Sequence, residues 1–253
     1  MDSPPETNSA LKKSMAVLDL FVRHHDPMSQ VDVAGRMGIS RQAAHRLLRQ
    51  LEDNGLLLRL PEDRYVIGPK MRRMAVDALS AGNPIAPVRA ILESVVAKVE
   101  ETCNLGMIDG HELIYIDRVE CNWPLRVPLR PGSRVPLHCT AMGKLLLAYL
   151  PTRRRHRLLD VLPLTRYTER TYTEKEAFAA HLADIRGLGY SINNQEDSVG
   201  LIALAVPIRN SANTVFAGLA VHGPEARFPI SKALAFLDDL KAAAAKLSKA
   251  LEF

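Results

Sequence analysis

Residues 38–55 read GISRQAAHRLLRQLEDNG. Ala44, Leu47, Leu48 and Leu51 recur at the spacing of one helical face. The opposite face presents Arg41, Gln42, His45, Arg46 and Arg49. Ser40 is placed to cap this helix, and Gly55 to end it in a left-handed conformation. Arg and Gln near the first turn suit two-pronged contacts to guanine and adenine edges, and such a helix fits the major groove.

Outward from this stretch the pattern stays consistent. A shorter helix precedes it, capped by Ser29 with Asp32 three residues on, carrying Val33, Ala34 and Met37 and stopping at Gly38. The few residues between the two helices match a helix-turn-helix connection. From Ser9 to Asp26-Pro27 a first helix is predicted, with Leu11, Met15, Leu18 and Val22 on its buried face. After Gly55, LLLRL-PED-RYVIG reads as a hairpin carrying Arg59 and Arg64, in the position of the wing of a winged helix. Residues 40–73 hold 8 Lys+Arg against 4 Asp+Glu, so the positive charge is concentrated here. An Arg-lined helix face also suits a protein-docking module, and the pattern by itself leaves both readings open.

The chain has 253 residues, 47% hydrophobic and 24% charged, with net charge +5 and a pI near 9.2. This is the composition of a globular protein of one or two domains, mildly basic. No apolar run approaches the ~20 residues that span a bilayer. MDSPPETNSA does not read as a signal peptide, so the cytoplasm is the expected location. Cys103, Cys121 and Cys139 lie 18 residues apart and match no metal motif. Catalytic motifs of hydrolases, dinucleotide enzymes and phosphate-binding loops are missing. The adjacent His138-Cys139 does not make a catalytic pair, since such partners meet in space rather than in sequence. No enzyme activity, cofactor or metal is expected.

Ser80-Ala81-Gly82-Asn83-Pro84 punctuates the chain. It sets expected domains of 1–80 and 81–253. Beyond it the reading is α+β. A helix runs to about Cys103 on Ile85, Val88, Leu92, Val95 and Val99. LGMIDGHELIYIDRVE gives two strands turning at Asp109-Gly110, and LRVPL a further one. IALAVPI and VFAGLAV form a later pair bridged by residues 209–213. Helices are expected at 140–150, 152–161 and 174–187, the last with a Thr173/Glu176 capping box, and from Ser231 to about Leu251. In PGSRVPLHCTAMGKLLLAYL, Thr140 caps a helix starting at Ala141, whose free N–H groups suit an anion.

These stretches carry a resemblance. Leu11 to Met74, with its RLLRQLEDNG run and RYVIGPKM close, resembles the DNA-binding domain of the IclR family of bacterial transcriptional regulators. RVPLHCTAMGKLLLAYL, GLGYSINNQEDSVGLIALAVPI and FAGLAVHGPEAR are similar, in the same order, to motifs of that family's effector domain. The resemblance implies an N-terminal winged helix-turn-helix joined by a linker helix to a GAF-like effector-binding domain. One departure is Ser40-Arg41-Gln42-Ala43, where many members carry Pro-Lys-Ser-Thr, so the bases read do not transfer.

The implied partners are an operator in double-stranded DNA, a small organic acid effector, and further copies of the chain in a homodimer or homotetramer. Gln42 and Arg46 are the expected base readers, with Ser40, Arg41 and His45 beside them. Lys12 or Lys13, Arg59 and Arg64 are expected on phosphates. Residues 69–82 are the expected link, with Met71, Met74, Ala75 and Ala78 as a packing face. The family's ligand-contacting positions fall on Ala141, Met142, Asn193 in the SINNQED loop, Ala203, Ala220 and His222. Members binding very small polar acids carry acidic, thiol or hydroxyl groups at several of these places. The substitutions here imply a larger, flatter ligand such as an aromatic carboxylate, with its acid group at Ala141–Gly143. Glu196 is expected to hold its loop through backbone hydrogen bonds. Repressors and activators both occur in the family, and a repressor of a catabolic operon is the expectation.

Overall fold

In a computed structural model, residues 10–24, 26–80, 86–124 and 129–251 are described, without the side chains of 76 and 78–80. Their contacts divide into two units, Met1–Ala78 and Leu79–Phe253.

The first unit is built on α1 (Ala10–His24), α2 (Gln30–Met37) and α3 (Arg41–Asp53). Ser29 closes the predicted capping box: its hydroxyl accepts from the Asp32 N–H, and its own N–H donates to the Asp32 carboxylate at 2.9 Å. Gly38, at φ +63°, ends α2. Ser40 Oγ accepts from the Ala43 N–H at 3.2 Å and starts α3. Gly55, at φ +69°, lets the Leu56 N–H reach the Leu51 carbonyl at 2.8 Å and ends it. The hairpin of β2 (Leu57–Leu60) and β3 (Arg64–Ile67) turns through Pro61–Asp63, and β1 (Met28–Ser29) pairs with β3. Residues Pro69–Ser80 form α4, with Met74 and Ala75 exposed and Met71 half-buried; the Ala78 side chain lies outside the described set.

The predicted face of α1 needs correction. Leu11, Met15 and Val22 are 70%, 55% and 47% exposed, whereas Val17, Leu18 and Phe21 are buried. Two apolar stripes share Leu18, and the one carrying Phe21 turns inward because an aromatic ring removes the most apolar surface from water. The predicted start at Ser9 lies outside the described residues.

The second unit is a six-stranded antiparallel sheet in the order β6-β5-β4-β9-β8-β7. Its strands are β4 (Thr102–Asp109), β5 (Glu112–Val119), β6 (Arg134–Pro136), β7 (Ser191–Asn194), β8 (Leu201–Arg209) and β9 (Val215–Pro224). One face packs on α5 (Ala86–Val99), α9 (Ile230–Ala235) and α10 (Leu237–Leu251) through Val88, Leu92, Leu204, Leu219, Leu240 and Leu247. The other packs on α6 (Ala141–Tyr149), α7 (Thr152–Val161) and α8 (Lys175–Leu188) through Met142, Leu145, Leu158, Phe178, Ala205 and Ala220. This is the expected α+β architecture.

Several boundaries move. α5 ends at Val99, since Glu100 adopts φ +62°, and Cys103 lies on β4. The Thr173/Glu176 box does not form; α8 starts at Lys175 with Glu174 before it and no side-chain cap bond. The C-terminal helix breaks at Phe236. Asn193 belongs to strand β7 rather than a loop. Strand β6 is an addition, while residues 81–85 and 125–128, with the boundary segment, Ile85 and most of LRVPL, lie outside the described residues. Among the described residues no helix is long and apolar enough to cross a membrane.

The two stripes of α1 separate by mutation. Phe21→Ala should destabilise the fold by about 3–5 kcal/mol in urea unfolding. Leu11→Ala should change it by less than about 0.5 kcal/mol, and equal losses would restore the original face.

Candidate nucleic-acid interface and effector site

The α3 surface is the exposed face of a helix whose other side is fixed in the core by Ala44, Leu47, Leu48 and Leu51. Gln30 Nε2 donates to the Arg41 carbonyl at 2.8 Å, which ties α2 to the start of α3. Ser40, Arg41, Gln42, His45, Arg46 and Arg49 are all exposed, and the first turn of α3 carries no acid. The six predicted helix positions therefore share one accessible surface at a helix N-terminus, where the backbone dipole adds positive potential.

The hairpin is less basic than its arginines suggest. Arg59 holds Asp63 Oδ1 through Nε at 3.1 Å and a terminal nitrogen at 2.5 Å. Arg64 donates to the Pro27 carbonyl at 3.2 Å. The turn itself contributes Glu62 and Asp63, both at positive φ. These acids oppose a phosphate at the tip of the hairpin.

The six predicted effector positions gather on the α6 side of the large sheet. Strand register puts Asn193, Ala203 and His222 on one rung with Thr102. The next rung runs Ser191, Ala205, Ala220, Asn104 and Arg118. A third carries Pro207, Gly218, Gly106 and Tyr115. Met142 packs into the gap left by its two glycines: a Cβ on Gly218 would meet Met142 Cγ at 2.6 Å, and one on Gly106 its Sδ at 2.8 Å. The helix that delivers Met142 is seated equally tightly. Thr140 Oγ1 accepts from the Gly143 N–H at 3.2 Å, and a Cβ at Gly143 would lie 2.3 Å from the Leu137 carbonyl oxygen. The Gly143 N–H is thus engaged, unlike the expectation of an anion there.

Asn193 is also engaged. Its amide donates to Asp197 Oδ1 at 2.5 Å and its carbonyl accepts from the Glu196 N–H at 2.8 Å. It shapes the loop that rims the sheet. Glu196 does more than the sequence suggested: its Oε1 accepts from the Asn194 N–H at 3.3 Å and from the ammonium of Lys144. Lys144 is fully buried on α6, and its Nζ also lies 3.2 Å from His181 Nε2. Burial pushes the lysine down and the carboxyl up, and their contact opposes both shifts. Burial, then the neighbouring ammonium, push the His181 imidazole down to about 4, so it accepts as a neutral ring.

Two further residues went unpredicted. Buried Arg118 donates to Asn104 Oδ1 at 2.8 Å, and Asn104 Nδ2 lies 3.0 Å from His222 Nδ1. Burial, then the Arg118 charge, push His222 down to about 3. The His138-Cys139 pair has the opposite character to a nucleophile. The buried thiol is pushed up to about 12, first by burial, and His138 Nε2 is occupied by the Thr165 carbonyl at 2.9 Å. Among the described residues no group of three His, Cys, Asp or Glu is placed to hold a metal.

An exposed recognition surface beside a helix-turn-helix, and a separate sheet with a small-residue floor, define a DNA-binding regulator with a ligand-sensing unit. Comparison agrees at both ends. Residues 10–61 match the IclR helix-turn-helix domain and residues 76–249 the bacterial transcriptional regulator IclR C-terminal domain. The chain belongs to the IclR family of bacterial transcriptional regulators. It is 41% identical over 244 residues to the probable transcriptional regulator SauR of Cupriavidus necator, covering 96% of this chain and 97% of that one. The crystal structure of Thermotoga maritima IclR matches with TM-score 0.65 and 30% identity, over 96% of this chain and 98% of that one. The inducer-binding domain of an Acinetobacter PobR double mutant, in complex with 3-hydroxybenzoic acid, matches with TM-score 0.58 and 26% identity, over 63% of this chain and 94% of that one.

Lys144→Met should strand Glu196 as an unpaired buried charge and cost about 3–5 kcal/mol, read by urea unfolding. Adding Glu196→Gln should recover a large part of that loss. A double variant as unstable as the single one would show that the pair does not carry the loop.

Proposed function

We propose that this protein is an effector-controlled repressor of a catabolic operon, acting from the cytoplasm as a homodimer or homotetramer and without enzymatic activity. Its α3 enters the major groove, with Gln42 and Arg46 on base edges and Ser40, Arg41 and His45 on bases and phosphates. Arg59 and Arg64 contact the flanking backbone, Arg59 by exchanging Asp63 for phosphate. Dimerisation supplies a second half-site, because one winged helix reads too few base pairs to find an operator. The observation that carries this reading is the exposed Arg/Gln face on a helix locked in place by its core side.

The effector is a small organic acid, of aromatic carboxylate type, seated over Met142, Ala203 and Ala220 beside Ala141 and His222. Asn193 holds the rim. The methyl-lined floor supports a flat apolar body, and the PobR relative carries an aromatic acid in the equivalent domain.

Fluorescence anisotropy tests the DNA half. A duplex from upstream of the reading frame should bind about 10³-fold or more tighter than a scrambled one, with a steep salt slope. Arg46→Ala should lose about 1–3 kcal/mol and relax one operator position. A uniform loss on all sequences would make Arg46 a phosphate clamp, and no binding to either duplex at low salt would return α3 to a protein-docking role.

A further inference from the structure

Positive charge is concentrated in two stretches of this chain. One is residues 40–73, around α3. The other is residues 150–170, with 6 Lys+Arg against 2 Asp+Glu. Each has a net charge of +4, in a chain whose whole net charge is +5. The second stretch lies in the second unit and contains α7, which reads TRRRHRLLDV. Leu158 and Leu159 bury one side of α7, and Arg155 donates to the Ala148 carbonyl at 3.1 Å. Arg153, Arg154, His156 and Arg157 are exposed. Arg153 and Arg157 are four residues apart, and Arg154 and Arg157 three, so these guanidiniums share a face and repel. They also crowd the start of the helix, where the backbone dipole disfavours cations. No acid in the first turn and no side-chain cap bond offsets them. Asp160, the one acid of α7, stands in its last turn. The core contacts of α7 come from its leucines, so packing does not account for the arginines. A local choice that works against its own helix is expected at a functional surface.

Two more arginines join them where α6 meets α7. Tyr149 ends α6, and α7 begins at Thr152. The Arg186 guanidinium, from α8, lies 5.9 Å from the Tyr149 ring centroid, and that of Arg209, from β8, lies 4.8 Å from it. Among the described residues Arg153, Arg157, Arg186 and Arg209 form no ion pair. Three elements thus bring cations to one corner, and for these four the protein supplies no counter-ion. The chemistry of the corner selects its occupant. A stable protein interface has apolar or aromatic anchors at its centre and sheds charge there. In the first six residues of α7 the exposed side chains are Thr152, three arginines and His156, which offer charge without an anchor. A nucleic-acid backbone, with one charge per ~3.4 Å of each strand, is bound by charge alone. Guanidiniums fork onto phosphate oxygens.

We propose that the α6–α7 corner binds the phosphate backbone of duplex DNA without regard to sequence, as a second DNA contact separate from α3. Arg153, Arg154 and Arg157 hold phosphates, and Arg186 and Arg209 add charge beside them. The proposal rests on the DNA-binding class of the protein and not on how α3 reads its bases.

Measurements on the full chain test it. Arg41→Glu with Arg46→Glu disables α3. In that background a scrambled duplex should still bind at low salt, read by fluorescence anisotropy. Adding Arg153→Gln, Arg154→Gln and Arg157→Gln should weaken this binding about tenfold or more. It should also flatten the log–log salt slope by about 2–3, the loss of three phosphate contacts. In the chain with native α3, the duplex should protect the amides of residues 152–157 from hydrogen exchange. No residual binding, an unchanged affinity and slope, or no protection would overturn the proposal and leave the corner to an acidic protein partner. The triple variant with native α3 should melt no lower than the parent, since it removes repulsion from α7. A lower melting temperature would tie the arginines to the fold and also overturn the proposal. Operator binding, followed in parallel, separates the two levels. If it persists while the α7 variants change nothing, only this inference falls; if the parent chain binds no duplex, the regulator reading falls too.

Discussion

Lys144 and Glu196 share an interior where neither would stay charged alone. The ammonium is fully buried on a helix that is otherwise apolar, and the carboxylate comes from the turn after an edge strand. Bringing them together fixes where α6 lies relative to β7. The same glutamate spends its backbone on the surroundings. Its N–H goes to Asn193, and its carbonyl accepts from Thr171 at 2.6 Å. Neutral His181 accepts from the lysine and stacks on Tyr172, with ring centroids 4.7 Å apart. A buried pair of this kind adds little net stability over a well-packed apolar one, because desolvation offsets the attraction. Its effect is on register. It holds the α6 start, Met142 and the 195–198 loop around one face of the sheet.

Periodicity made most of the fold legible. The stripe Ala44, Leu47, Leu48, Leu51 and the cap at Ser40 placed α3 correctly, because each local preference agreed with the packing. Where preferences competed, the sequence was silent. On α1 two apolar stripes overlap at Leu18, and only the packed neighbours decide between them. Thr173 and Glu176 have the spacing of a box, yet the helix starts two residues after the threonine. In β4 and β5 successive residues are buried on both faces, so alternation could not tell Asn104 and Arg118 from core positions.

The proposed effector face was legible in part. The resemblance located Ala203, Ala220 and His222, and strand register brings them together with Asn193. It did not reveal that Asn193 is already occupied, or that Arg118 and Asn104 stand behind His222. A signal existed for Lys144: a lone lysine inside AMGKLLLAYL cannot face water on a helix apolar all round, so it needed a buried acid. Naming the acid required the tertiary fold, since Glu196 is 52 residues away.

These facts bear on how a ligand changes DNA affinity. An effector shifts an equilibrium only through its differential affinity for two arrangements. A buried polar group without a partner costs about 1–3 kcal/mol. Ser191 Oγ, Glu196 Oε2 and His222 Nε2 are three such atoms among the described residues. A molecule that satisfies one of them in one arrangement and not in another gains a difference of that size. Coupling between sites in regulators is typically about 1–3 kcal/mol, or 5–150-fold in affinity. Satisfying a single buried polar atom is therefore comparable in magnitude to such a coupling. The sign of such a shift follows from which arrangement a ligand favours, and not from the strength of binding.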